Sequence, residues 1–239
     1  MIGIIDMNTN NINCFVKLMK RFTCKYKIIR EYNDYNTLEI NKLIIPGIGN
    51  YKYTMEYIKQ KQLDKVIKQH NNNGKQILSV CIGMQILTEY GTESCNEECN
   101  EECKNKICYG LNILGNTKTD ILECDDILPH IGWNNINIIG YETEKGFCNI
   151  DLNNNLFYYV SNMFKNVDIK NVDFYFVHSY VVESKNNYKI SDKWIIGKSI
   201  YGNKEFIAFI CTENILALQF HPEKSGIAGI RIIENFVKS

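Results

Sequence analysis
Apolar residues along the chain fall into two recurring patterns. Runs at Ile2 to Asp6, Lys42 to Ile45 and Gln76 to Val80 have the length of buried strands. Between the first two, Ile12, Phe15, Val16, Met19 and Phe22 recur at helical spacing and form a single stripe. The third run leads directly into a helical pattern predicted over Met84 to Tyr90. Strand and helix in alternation predict an α/β fold, a mostly parallel central sheet with helices on both faces. Active sites in such folds lie at the C-terminal ends of the strands. Further strands are predicted at Phe174 to Val177, Glu205 to Ile210 and Ile215 to Leu218, the last two joined by Thr212 to Asn214 as an antiparallel C-terminal hairpin. A closing helix over Gly226 to Lys238 offers Ile230, Ile233 and Phe236 to the core. No linker-like stretch divides the chain, so residues 1–239 are expected to form one domain.

Charge narrows the function classes. Lys plus Arg number 27 and Asp plus Glu number 27, a formal net charge of zero, so no global field recruits nucleic acid or an acidic membrane. No apolar run reaches the roughly 18 residues of a membrane span. The opening residues Met1 to Asp6 lack the basic region of an export signal. A cytoplasmic protein is expected, and its ten cysteines are expected to be reduced thiols. Four of them fall in Ser94 to Cys108, where Cys95, Cys99 and Cys103 recur every fourth residue before Cys108. On a helix the first three would share a face that a soft metal could bridge. The gaps differ from the two-residue spacing of zinc pairs, and an acidic surface insertion without metal is the expectation. The Asn-rich stretch from Tyr141 to Lys170 is expected to be peripheral as well.

Three segments carry candidate chemistry. Ser79 to Gln85 sets Cys81 at a strand-to-helix junction with small residues, Ser79 and Gly83, two positions either side. This is the form of a nucleophile elbow, whose crowded turn demands small neighbours and whose helix N-terminus favours a thiolate. A buried cysteine packing as a small hydrophobe is the competing reading. A thiolate attacking an amide needs a base, and a third group to orient that base. His221, in Gln219 to Glu223 after an apolar strand, can be that base; in extended backbone Glu223 would share its face. A surface His-Pro-Glu turn is the alternative. His70 lies at a polar helix end. The third segment, Pro46 to Asn50, has two glycines at a strand end, where free amides can face a site or simply form a turn. An amide of this loop would then give half of an oxyanion hole and the Ile82 amide the other half.

In this order the three segments resemble the class I glutamine amidotransferases, with their elbow cysteine and late His-Pro-Glu. More narrowly, they resemble the glutaminase subunits of imidazole glycerol phosphate synthase. Further matching stretches are Ile2 to Asp6, Pro129 to Asn134, Tyr175 to Tyr180 and Gln219 to Gly226, so the likeness spans nearly the whole chain. The resemblance implies Cys81 as nucleophile, His221 as general acid and base, and Glu223 as orienting carboxylate. It implies Gly49, Gln85, His178, Ser179 and Tyr180 as the glutamine-binding set, and Ile48 and Ile82 as oxyanion donors. Implied too are a reaction without cofactor and a heterodimeric partner, a (β/α)8 barrel cyclase that receives the ammonia and serves histidine biosynthesis. Trp133, Asn134 and Lys224 resemble the docking edge, with core packing the other reading for Trp133. The first turn departs from the family: Met7 to Asn11 replaces a pair of glycines, and Asn8 and Asn10 are expected to keep the turn because asparagine tolerates left-handed backbone. Ser79 stands where the family has glycine. Two other readings stay open, a paralogue feeding a surface-sugar amidotransferase and a non-catalytic binding subunit of the same fold.

Overall fold
The structure is a computed structural model that describes residues 1–8, 11–93, 107–139, 142–143, 146–147, 155–185 and 194–239. The first half alternates as expected: β1 (Ile2–Ile5), α1 (Ile12–Arg21), β2 (Tyr26–Ile29), β3 (Lys42–Ile45), α2 (Tyr51–Gln60), α3 (Leu63–Asn72), β4 (Gln76–Val80) and the single-turn α4 (Ile82–Gln85). Then come β5 (Tyr90–Gly91), β6 (Cys108–Tyr109), β7 (Thr117–Ile121), β8 (His130–Asn134), β9 (Asn137–Ile139), the short pair β10 (Glu142–Thr143) and β11 (Gly146–Phe147), and α5 (Asn155–Met163). The chain continues through β12 (Phe174–His178), β13 (Tyr180–Ser184), β14 (Ile195–Tyr201), β15 (Lys204–Cys211), β16 (Ile215–Leu218) and α6 (Gly226–Lys238).

An eight-stranded sheet in the order β2-β1-β3-β4-β16-β15-β14-β9 forms the centre. Its first five strands are parallel and the rest antiparallel. The alternation of strand side chains sets two apolar layers. Ile2, Ile4, Ile44, Leu78, Val80, Leu216 and Leu218 face one layer with Phe15 and Met19 of α1 and Ile232, Ile233 and Phe236 of α6. Ile5, Leu43, Ile45, Ile77, Ile215 and Ala217 face the other, with Met55 and Ile58 of α2 and Val66 and Ile67 of α3. Burial on both faces explains why β1 is apolar throughout.

Three expectations need correction. The Asn-rich stretch from Tyr141 to Lys170 is not peripheral throughout, since Val160, Met163, Phe164 and Ile169 pack into the core. The helix over Met84 to Tyr90 stops at Gln85, because amides of 110–114 capture the next carbonyls: Leu111 bonds Ile86, Leu114 bonds Leu87, Asn112 bonds Thr88 and Gly110 bonds Glu89. Those captured carbonyls carry the chain into a second sheet, β13-β7-β5-β6. Cys108 belongs to β6, paired with Gly91, and so lies outside any insertion; Cys95, Cys99 and Cys103 lie outside the described residues. The run at Phe174 to Val177 is a strand, as expected, and joins β8 in a separate two-stranded ribbon. His70 lies in the last turn of α3, as expected, and is fully buried there, bonded to the Tyr35 hydroxyl at 2.8 Å and the Gln76 carbonyl at 3.1 Å. Asn8 does take the left-handed backbone expected of it, with φ of 58°, while Asn10 is outside the described residues. Described cysteines, among them Cys14, Cys24 and Cys124, are free thiols, and no described helix is long and apolar enough to cross a membrane.

Candidate active site
The C-terminal ends of β3, β4 and β16, neighbours in the sheet, deliver the three predicted segments to one place. Cys81 follows β4 at φ 51° and ψ −111°, a conformation that non-glycine residues avoid and that costs on the order of 1–3 kcal/mol. The surroundings hold it there. Its amide donates to the Leu218 carbonyl of β16 at 2.7 Å, and its carbonyl accepts from Met84 and Gln85 at 2.9 and 3.1 Å. Gly83 is required, since a Cβ would lie 2.2 Å from the Ile45 carbonyl oxygen. Ser79 fits the elbow fully buried, its hydroxyl without a partner. The single turn of α4 supplies less dipole than the longer predicted helix, so the charge partner for the sulfur is a side chain.

That side chain is His221. Its Nδ1 lies 2.8 Å from Glu223 Oε1, with both side chains fully buried. The geometry differs from the extended one expected: Pro222–Lys224 is a 3-10 turn that folds Glu223 back onto the ring. Nδ1 is turned to the carboxylate, and Nε2 makes no aligned hydrogen bond. Burial pulls the imidazole pKa down, but the Cys81 thiolate and then Glu223 outweigh it and lift the value to about 10. An imidazolium at His221 is therefore favoured wherever the neighbouring sulfur carries negative charge. Two residues to which sequence reasoning assigned no role at the catalytic pair hold this arrangement. Asn11 Nδ2 donates to Glu223 Oε1 at 3.3 Å. Ser225 Oγ donates to the His221 carbonyl at 2.6 Å and accepts from the Tyr175 amide at 2.9 Å, while the His221 amide donates to the Tyr175 carbonyl at 2.9 Å. The turn is thus buckled to β12.

The glycine loop after β3 lies directly beside the elbow. A Cβ on Gly47 would fall 2.2 Å from Ile82 Cγ2, so the loop and the residue after the nucleophile touch. Ile82 opens α4, where the amide has no partner within the helix. Ile48 is half-buried, and Gly49 is exposed at φ 137°, a backbone that only glycine adopts freely. A cavity of about 480 Å³ runs along the loop, lined by Met7, Asn8, Ile48, Gly49, Asn50 and Tyr53 among others. Gln85 is buried, and its Nε2 donates to the Tyr180 carbonyl at 2.8 Å and to Gln219 Oε1 at 3.2 Å. Both its N–H groups are spent on the fold, leaving its carbonyl as the group that can face a ligand. The Ser179 carbonyl likewise accepts from Leu122. Glu93 is a further residue that no motif announced: Oε2 accepts from the Tyr51 amide at 2.6 Å, and its charge reaches Tyr180. Burial raises its pKa against the hydrogen bonds from Tyr51 and Asn50. It places an acceptor between the glycine loop and β13.

His178 is buried away from solvent, its Nε2 3.3 Å from His130 Nδ1. Asn134 Nδ2 donates to the Ile200 carbonyl at 2.8 Å and lies 3.4 Å from His130 Nε2. That places the His130 proton on Nδ1, facing His178. Burial holds His130 down at about 4 and, with the nearby His130 and His221, holds His178 at about 3. Asn134 is thereby committed internally. Trp133, in contrast, is 52% exposed on β8 beside Ile131 at 60%, and the exposed Lys224 extends Nζ over the Tyr175 ring.

Comparison with known proteins agrees with this geometry. The family model described as "Glutamine amidotransferase class-I" matches residues 3–239. The imidazole glycerol phosphate synthase subunit HisH of Methanocaldococcus jannaschii is 34% identical over 244 residues, covering 100% of this chain and 99% of that one. The HisH subunit of Bacillus mycoides is 31% identical, covering 99% and 93%. In Emericella nidulans the matching stretch, 27% identical, is 37% of a longer chain named imidazole glycerol phosphate synthase hisHF. Among solved structures, a glutamine amidotransferase shares the fold at a TM-score of 0.61 and 12% identity, covering 99% of this chain and 97% of that one. With the elbow, the buried His-Glu pair and a full-length family match in agreement, the chain belongs to the class I glutamine amidotransferases.

Proposed function
We propose that this chain is the glutaminase subunit of an imidazole glycerol phosphate synthase, hydrolysing glutamine to glutamate and ammonia. The observation that carries the chemistry is the fully buried His221–Glu223 pair at 2.8 Å facing the strained Cys81. The Cys81 thiolate attacks the side-chain amide carbon, and the oxyanion is received by the Ile48 and Ile82 amides. The C–N bond breaks as the His221 imidazolium gives its proton to the nitrogen, releasing ammonia and leaving a γ-glutamyl thioester. His221, now neutral, takes a proton from water, which attacks the thioester and expels the thiolate. Gly49, the Gln85 carbonyl and the amides of 178–180 hold the substrate, and Glu93 is placed to receive its α-ammonium. No step uses a cofactor.

Ammonia is passed to a cyclase partner with a (β/α)8 barrel, in a cytoplasmic heterodimer. The HisH names of the relatives and the longer fungal chain support this destination. The exposed Trp133 and Ile131, with Lys224, support β8 and the turn after His221 as the docking edge. Glutamate release is measured for the purified chain, alone and with a histidine-pathway cyclase and its ligand. Strong stimulation is expected. Glutamine binding without hydrolysis in that complex overturns the histidine assignment and favours a surface-sugar paralogue or an inactive subunit.

A further inference from the structure
We propose that Gln219 is a catalytic residue that donates a hydrogen bond to the Cys81 sulfur whenever that sulfur is anionic. The inference rests on Cys81 being the nucleophile. Gln219 directly follows β16 and is fully buried, a position where an amide persists only if both its ends are satisfied. Its Nε2 lies 3.7 Å from Cys81 Sγ and its Oε1 accepts from Gln85 Nε2 at 3.2 Å. The orientation of the two amides is set by chemistry. The Tyr180 backbone carbonyl, 2.8 Å from Gln85 Nε2, can only accept, so the Gln85 end facing it is the donor. That same nitrogen faces Gln219, whose near atom must therefore be oxygen, which turns the Gln219 N–H toward the sulfur.

The sulfur has a partner for each protonation state. As a thiol it can donate to the Val177 carbonyl, 3.9 Å away. As a thiolate it cannot, and that carbonyl then repels it, while the Gln219 N–H and the His221 imidazolium attract it. The anion occurs twice in the cycle, before attack on the amide and when the thioester is cleaved. Gln219 serves both moments, and through Gln85 it ties the sulfur to the Tyr180 carbonyl on the substrate-binding strand.

The test uses Gln219→Met in the complex with the cyclase, with Gln219→Asn as a second variant that keeps an amide but withdraws it by one methylene. Four quantities are read: kcat and KM for glutamate release, the iodoacetamide alkylation rate of the Cys81 peptide at neutral pH by mass spectrometry, and ammonia-fed synthesis as proof of an intact complex. Expected is a kcat loss of roughly 10- to 10²-fold, the range for a hydrogen bond to a charged group, with KM within about threefold and alkylation slowed several-fold. A raised KM with unchanged kcat and alkylation overturns the proposal, making Gln219 a support for Gln85 alone. If the unaltered complex releases no glutamate and its Cys81 is not alkylated, the nucleophile assignment itself fails.

Discussion

Glu223→Gln removes a charge from the buried site while keeping its shape. Glu223 Oε1 accepts from His221 Nδ1 at 2.8 Å and from Asn11 Nδ2 at 3.3 Å, and Oε2 has no partner. A glutamine carbonyl at the Oε1 position answers both donors and leaves its NH₂ where Oε2 was. The rise of the His221 pKa from 6.5 to about 10, with burial opposing it, reflects the Cys81 thiolate first and Glu223 second. It corresponds to roughly 5 kcal/mol in favour of the imidazolium. A hydrogen bond to a charged group is worth about 1.5–3 kcal/mol and a neutral one about 1, so exchanging carboxylate for amide costs about 1–2 kcal/mol, roughly 5- to 30-fold in the charged pair. A flipped amide would add a larger loss by forcing the wrong tautomer, which in Ser-His-Asp enzymes costs about 10⁴-fold. Asn11 opposes the flip, because its donor would then meet another donor. The expected outcome is a fall in kcat on the order of 10²-fold, measured as glutamate release at saturating glutamine in the cyclase complex, and milder than His221→Ala. Adding Asn11→Ala frees the flip, so the double variant should lose more than the two single losses combined. Turnover of Glu223→Gln within threefold of the unaltered protein would refute the orienting role.

Cys81→Ala should abolish glutamate release while ammonia-fed synthesis by the complex persists; residual glutamine use in coupled assays would refute the nucleophile. Stability should fall in acid because His70, held at about 4 by burial, stays neutral in the folded state while the unfolded chain protonates near 6.5. The full contribution is present above pH 6.5 and is lost as pH falls toward 4, about 3 kcal/mol in total. Urea unfolding at pH 7.5, 5.5 and 4 checks it, and His70→Gln should flatten the slope. Trp133→Ala should leave the melting temperature within about 2 °C and weaken cyclase binding by on the order of 30-fold, as loss of an exposed aromatic anchor does; unchanged affinity by calorimetry would move the docking edge elsewhere.

The three proposed catalytic residues, Cys81, His221 and Glu223, were legible as candidates because each sits in a contiguous motif at the end of an apolar strand. Their convergence follows from β3, β4 and β16 being neighbours. That adjacency was only half visible: the hairpin of β15 and β16 was readable from its turn, but the parallel pairing of β16 with β4 depends on apolar side chains filling both layers at once. The predicted helix after Cys81 failed for a related reason. Its apolar spacing is real, yet amides more than twenty residues downstream take the carbonyls that would have extended it.

The residues missed share one property. Asn11 meets Glu223 across 212 positions of chain, Glu93 meets the Tyr51 amide across 42, and Ser225 meets the Tyr175 amide across 50. Apolar periodicity carries no record of such partners, since a buried polar side chain is placed by its hydrogen bond and the bond exists only once both strands are in register. The same limit explains the Asn134 result. Its neighbour Trp133 is exposed, but the β8 register with β12 sets His130 against His178, and the Asn134 amide is drawn inward to His130 and Ile200. Alternation along one strand thus leaves one side chain at the surface and draws the next to the support of a buried histidine pair. The Tyr175 carbonyl of β12, the strand paired with β8, holds the His221 amide, so the β8–β12 ribbon and the turn after His221 are joined through the backbone.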